Sequence, residues 1–175
     1  MTAIDKNPKS LNFLSPINFR FFLRRAPNLN FEVQRVNIPG IRMGHIMLPG
    51  PILAVPEPGD HILYNELDIE FKLDEEMANY LEIHNWIKGL GFPDSQDQYK
   101  DLVAGKPPGE GKESDIEVQL LSSSRNMIFD ITFRDAFPIY LSDIVFDATK
   151  SGIDYLTTSA SFRYLSYNIV RTINP

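Results

Sequence analysis

The chain has 175 residues, 43% of them hydrophobic, and carries a formal net charge of -6. That is enough for one well-buried core with no sign of a second composition block, and the absence of cysteine rules out a disulfide frame or a thiolate metal site. Stable nucleic-acid binding would need a basic patch working against the overall field, and the nearest group is only Arg20, Arg24 and Arg25.

The opening MTAIDKNPKS lacks the basic-then-apolar order of a signal peptide, and no apolar run approaches the ~20 residues of a membrane span. The expectation is a soluble product, with residues 1–15 a flexible arm. INFRFFLR then places Ile17, Phe19, Phe21 and Leu23 on one face of a first strand. After a turn at Pro27 and Asn28, FEVQRVNI reads as a second strand with Phe31, Val33 and Val36 inward and a bulge near Arg35. The two runs are expected to pair as a hairpin.

Residues 40–59, GIRMGHIMLPGPILAVPEPG, combine four glycines with exposed-looking Ile46, Met47, Leu48, Ile52, Leu53 and Val55. Proline cannot donate to a sheet ladder, so a central strand is a poor fit. An extended β-arm tipped at Pro49, Gly50 and Pro51 fits better than a surface loop, because so many aliphatic side chains need somewhere to be buried. A neighbouring subunit is the simplest place.

From Leu67 to Leu73 apolar and charged residues alternate as in a half-buried strand, and from Asp74 the period lengthens to 3.6. Met77, Tyr80, Leu81, Ile83, His84, Ile87 and Leu90 then share one side of a helix near 75–90. Asp74 is its expected cap, and Gly89, Gly91 and Pro93 end it. Residues 92–114 are polar and rich in Gly and Pro, and read as a mobile insertion loop anchored only by Tyr99, Leu102 and Val103. Three strands follow, at IEVQLL, NMIFDITF and IYLSDIVFD, joined by SSSRN and DAFP as turns. DYLTTSASFRYLSYNIV closes the chain as one long strand, with Leu156, Thr158, Ala160, Phe162 and Tyr164 on one face. There is no internal repeat.

Chemistry finds little support. His45, His61 and His84 lie in separate segments without metal-ligand spacing. Asp74, Glu75 and Glu76 suit a helix start, whereas Asp94, Asp97 and Asp101 sit in a segment too polar to shift a pKa by burial. Ser122, Ser123 and Ser124 have turn character and no nucleophile elbow, GKPPGEG lacks the strand and GK[ST] of a phosphate loop, and Tyr80 and Trp86 read as core. No catalytic, cofactor or metal residue is assigned.

The turn RAPNLNFEV, NIPGI before a Pro/Gly-rich arm, the block PGDHILYNELDIEFKLDEEMANYLEIHNWIKGL and the closing DAFPIYLSDIVFD with its long last strand are together similar to the tail tube proteins of contractile-tailed bacteriophages, relatives of the type VI secretion tube protein. The resemblance covers roughly residues 17–167, and the insertion 92–114 departs from it. It implies a mainly β fold, with two packed antiparallel sheets in a sandwich or barrel and one flanking helix. It also implies a non-enzymatic, cofactor-free virion component, assembled in the host cytoplasm as stacked hexameric rings. Its partners would be other copies of itself, sheath, baseplate and tape-measure proteins, with DNA passing through unbound and no membrane. Asp68, Glu70, Asp130 and Asp143, on polar strand faces, are candidate lumen carboxylates. A baseplate tube initiator of the same fold, and a monomeric β-barrel binding a small apolar ligand, are the alternatives.

Overall fold

A computed structural model describes residues 13–91, 96–104, 110–149 and 154–172. Nine strands and two α-helices make up its regular structure: β1 (Phe19–Leu23), β2 (Val33–Val36), β3 (Ile41–Leu48), β4 (Val55–Tyr64), β5 (Leu67–Lys72), α1 (Ala78–Gly91), α2 (Gln96–Val103), β6 (Ser114–Leu121), β7 (Met127–Leu141), β8 (Thr157–Arg163) and β9 (Ser166–Arg171).

Seven of the strands form two antiparallel sheets that share β7. Its first part lies between β6 and β9, with β1 beyond β6; its last part pairs with β8, followed by β5 and β2. The chain is therefore mainly β, and the sandwich is closed along one side by a strand that turns the corner. The corner lies at Asp135, whose φ of 53° puts it in the left-handed region and whose N–H donates to Asp115 Oδ1 at 3.0 Å. The register shift there, where two steps from Ser114 to Ile116 in β6 face three from Phe133 to Ala136, gives β7 the extra residue that bends a ladder without ending it. DAFP is thus a bend inside one 15-residue strand, not the expected turn, and the strand stops at Leu141 instead of running through IYLSDIVFD.

The alternation in β5 puts Leu67, Ile69 and Phe71 into the core, against Phe21, Leu23, Ile116, Val118, Ile131, Phe133 and Phe162. Burying each such side chain contributes about 1.5–3 kcal/mol. α1 closes the sandwich with Ile83 and Trp86. The Trp86 ring lies 6.2 Å from Phe162, its Nε1–H donates to Lys112 O at 3.0 Å, and the Arg25 guanidinium covers its face at 4.9 Å.

The helix begins at Ala78. The Asp74 carboxylate accepts from the Glu76 N–H in a turn that precedes it, and Met77 takes a φ of 55°. Buried Asn79 secures the junction by donating to Lys72 O at 2.7 Å. Of the expected inner side of α1, Ile83 is buried but Leu81 and His84 are exposed, and Trp86 takes the central place.

Other expectations need correction. β1 and β2 do not pair with each other: each joins a different sheet, and a short 3-10 turn at Pro27–Leu29 carries the chain between them. Phe31 precedes β2 and is 91% exposed, not inward; the expected irregularity is present as a register shift between Val33 and Arg35. The insertion holds α2, whose Leu102 packs on Gly89 of α1. The last run is two strands, since the chain leaves one sheet after Arg163 and enters the other at Ser166. SSSRN is the expected hairpin turn, closed by Ser122 N–H to Asn126 O at 2.7 Å. Residues 1–12 of the expected flexible arm, and 92–95 and 105–109 of the insertion, lie outside the described residues.

Candidate assembly surfaces

β3 and β4 pair only with each other among the described residues, forming a two-stranded arm separate from the seven-stranded sheet. Every residue of β3 is exposed, and so is nearly all of β4. Towards the tip, Leu48 lies opposite Val55, Met47 opposite Pro56 and Ile46 opposite Glu57. Consecutive strand residues point to opposite faces, so Ile46 and Leu48 make one face apolar and Met47 the other. At the tip itself Ile52 is 97% exposed and Leu53 76%. The seven residues Ile46, Met47, Leu48, Pro49, Ile52, Leu53 and Val55 thus form one apolar knob, none of it covered by the chain's own body.

The root of the arm is built as firmly as its tip is bare. Tyr164 OH donates to Asn65 O at 2.9 Å and Tyr167 OH to Pro39 O at 3.0 Å, so a hydroxyl holds the chain where each arm strand meets the body. Asn65 N–H to Gly40 O at 3.1 Å closes the pair. Tyr64 packs against both rings, with centroids 5.8 and 5.6 Å apart, and Phe133 lies 5.0 Å from Tyr164. Burial, with smaller contributions from Tyr167 and Tyr64, pushes the Tyr164 phenol up to about 12, so it remains a donor at any ordinary pH. Two tyrosines three residues apart at the β8–β9 corner gave no sequence signal of this role.

Besides the two arm strands, three strands have an unpaired side among the described residues: β1 pairs only with β6, β2 only with β5, and β9 only with β7. Between β1 and β2 lies an open groove of about 870 Å³, lined among others by Ile17, Phe19, Phe22 and Phe31. Unpaired N–H and C=O groups beside apolar side chains are the usual template for pairing with another chain.

The candidate lumen carboxylates divide between surfaces. Asp68 and Glu70 share the outer face of β5; Asp68 accepts from Ser161 Oγ at 2.6 Å and Asn37 Nδ2 at 3.1 Å, and Glu70 lies between Arg35 and Ser159. Asp130 is on the other sheet, between Gln119 and Val170, and Asp143 is in the connection after β7. The structure brings the first two together, sets Asp130 on the other sheet, and places Asp143 next to Ser142, whose N–H donates to Ser159 O across from Glu70.

Among the described residues no cluster of His, Asp and Glu could hold a metal ion, and no helix is long and apolar enough to cross a membrane. Asp97 pairs with Lys100 at 2.9 Å, and Ser122 Oγ accepts the N–H groups of Ser124 and Asn126 within its turn. Asp94 lies outside the described residues.

No protein-family model matches the sequence, and no curated protein matches it. The fold, however, is shared with solved structures. A chain of the anti-feeding prophage tube-terminating cap superposes with a TM-score of 0.60 at 12% identity, over 98% of this chain and 100% of that one. A chain of the sixfold-symmetrised anti-feeding prophage baseplate gives 0.57 at 12% identity, over 92% and 97%. A chain of the PVC extracellular contractile injection system, in its extended sheath–tube complex, gives 0.56 at 12% identity, over 98% and 99%. At this identity the likeness is one of fold, the mainly β sandwich with its flanking helix.

Proposed function

We propose that this chain is a structural subunit of the inner tube of a contractile tail, a single domain over residues 1–175 whose copies close into sixfold rings that stack into a hollow conduit. The observation that carries the reading is the β3–β4 arm: a knob of aliphatic side chains, apolar on both faces and bare along its length, on a fold shared with chains of contractile injection assemblies. Such a knob and open strand edges are aggregation hazards on a monomer and become interface when copies meet. A permanent ring interface buries on the order of 2,000 Å² or more.

The tube would meet sheath outside, baseplate below and tape-measure protein within, in a virion or virion-like particle assembled in the host cytoplasm. A net charge of -6 suits passage of DNA, because a lumen that attracted phosphates would hold the cargo by counterion release. Asp68 and Glu70, on one outer sheet face, are the stronger lumen candidates, with Asp143 after the end of β7 in the same sheet; Asp130, on the other sheet, would face elsewhere.

A second reading is a specialised ring that starts or ends the tube, favoured by the superpositions on the tube-terminating cap and baseplate chains. Copy number per particle separates the two: one or two rings for an initiator or cap, many for a tube protein. A small-ligand barrel fits less well, because Trp86, Phe71, Phe133 and Phe162 fill the interior. Negative-stain electron microscopy of purified protein tests the proposal. Rings or tubes are expected at high concentration and low salt, and a strictly monomeric, ring-free species would overturn it.

A further inference from the structure

Beside the corner of β7 a cavity of about 590 Å³ opens between the end of β1, the start of β6 and Asp135. Sites for small ligands run to about 300–1,000 Å³. Leu23 and Ser114 line its buried part, with half-buried Asn30 and Glu113. Phe22, Arg24, Asp115, Glu117 and Asp135 stand exposed around it. Four carboxylates against one guanidinium give this cavity a formal charge of -3, half of the -6 carried by the whole chain.

Little in the chain offsets that charge. Glu113 pairs with Lys112 at 3.1 Å, and Arg24 pairs at 3.5 Å with Glu110, which does not line the cavity. Across the sheet Glu117 faces Phe22 on one side and Thr132 on the other, neither of them a cation. Asp115 Oδ1 accepts the Asp135 N–H at 3.0 Å, which ties the two segments together. Asp115, Glu117 and Asp135 are left in no ion pair among the described residues. At the buried end Ser114 is 2% exposed, and its Oγ has no hydrogen-bond partner among the described residues. A buried hydroxyl without a partner is costly, and a ligand that donates to it recovers that cost.

We propose that this cavity binds an aliphatic ammonium ion, with its methylene chain against Phe22, its charge among Asp115, Glu117 and Asp135, and one N–H donated to Ser114 Oγ. A cleft lined by one sign of charge concentrates counter-ions, and an exposed aromatic ring adds its own attraction for an ammonium group. Anionic ligands are repelled by the same carboxylates. A bare metal ion fits poorly, because no three acidic or histidine side chains among the described residues come close enough to hold one. Charges spread along a cavity of this size suit an extended organic cation instead. Either a free polyamine or a lysine side chain of another protein supplies that chemistry. The site stands apart from the arm and does not depend on the tube reading.

Isothermal titration calorimetry of the full chain at low salt, with cadaverine and separately with Nα-acetyl-lysine amide, tests the site. Saturable binding of cadaverine is expected, weakened about tenfold or more by Glu117→Gln/Asp135→Asn and by Ser114→Ala. Thermal unfolding checks that the variants fold: Glu117 and Asp135 are exposed, asparagine accepts the left-handed backbone at 135, and Ser114→Ala breaks no internal hydrogen bond. Tighter binding of the diamine than of the lysine amide supports a free polyamine as the ligand, and equal binding supports a side chain. No saturable binding of either probe, binding unchanged in either variant, or displacement by magnesium chloride no weaker than by the other probe overturns the site. Rings or tubes that form while neither probe binds overturn the site alone, and binding by a chain that forms no ring overturns the tube reading alone.

Discussion

Replacing Ile52 and Leu53 together by aspartate should abolish assembly without touching the fold. Both side chains are almost bare in the single chain, so their loss removes no internal packing, and unfolding free energy should change by no more than about 0.5 kcal/mol. In an assembled tube each would be buried, and full burial of an isoleucine or leucine contributes about 1.5–3 kcal/mol. Losing both therefore weakens each arm contact by about 3–6 kcal/mol, and a factor of ten for every 1.4 kcal/mol makes that roughly two to four orders of magnitude in affinity. Burying two carboxylates without partners costs more still. Sedimentation of the polymer against total protein, together with thermal unfolding of the soluble fraction, reads both halves. Tubes at an unchanged threshold concentration would refute the role of the tip. A midpoint several degrees lower would show that the tip packs on its own body.

Other outcomes follow from the arm and its root. A Cβ on Gly59 would lie 2.8 Å from Gly44 O across the arm, whereas one on Gly44 meets nothing nearer than His61 O at 3.9 Å; Gly59→Ala should lose assembly with its β-sheet circular dichroism intact, and Gly44→Ala should assemble normally. Tyr164→Phe and Tyr167→Phe each remove one hydroxyl that holds the arm, so each should cost about 1 kcal/mol, lower the midpoint by about 2–4 °C and speed tryptic cleavage at Arg42. Because the Tyr164 phenol is raised to about 12 in the fold from an ordinary 10.0, its contribution is complete below pH 10 and lost as pH rises to about 12; Tyr164→Phe should flatten that alkaline slope of stability. Asn79→Ala removes a buried donor from Lys72 O and should cost about 1–3 kcal/mol in denaturant unfolding.

The local patterns that could be read correctly were those in which one period persists over several residues. β5 alternates cleanly because one face is core and the other is wet, and the arm is marked by prolines and glycines among aliphatics that a monomer has no reason to keep. Misreadings arose where tertiary structure overrides the local signal. Asp135, Ala136 and Pro138 look like a turn, but a bulge lets them bend one strand and continue pairing with β8. β1 and β2 are neighbours in sequence and edges of different sheets in space, which no local pattern distinguishes from a hairpin. α2 has a polar sequence, QDQYKDLV, and is secured chiefly by Leu102 against the bare backbone of Gly89. At the assembly surfaces the knob itself was legible from composition. The tyrosines at its root were not, because their role depends on where β8 ends and β9 begins relative to the arm.

Hydrogen–deuterium exchange, compared between the unassembled chain and the tube, tests most directly whether this molecule is completed only by its own copies. The amides of 41–64 and the unpaired sides of β1, β2 and β9 should exchange quickly in the single chain and slow sharply on assembly. An arm already protected in the single chain, or unchanged in the assembled form, would contradict it.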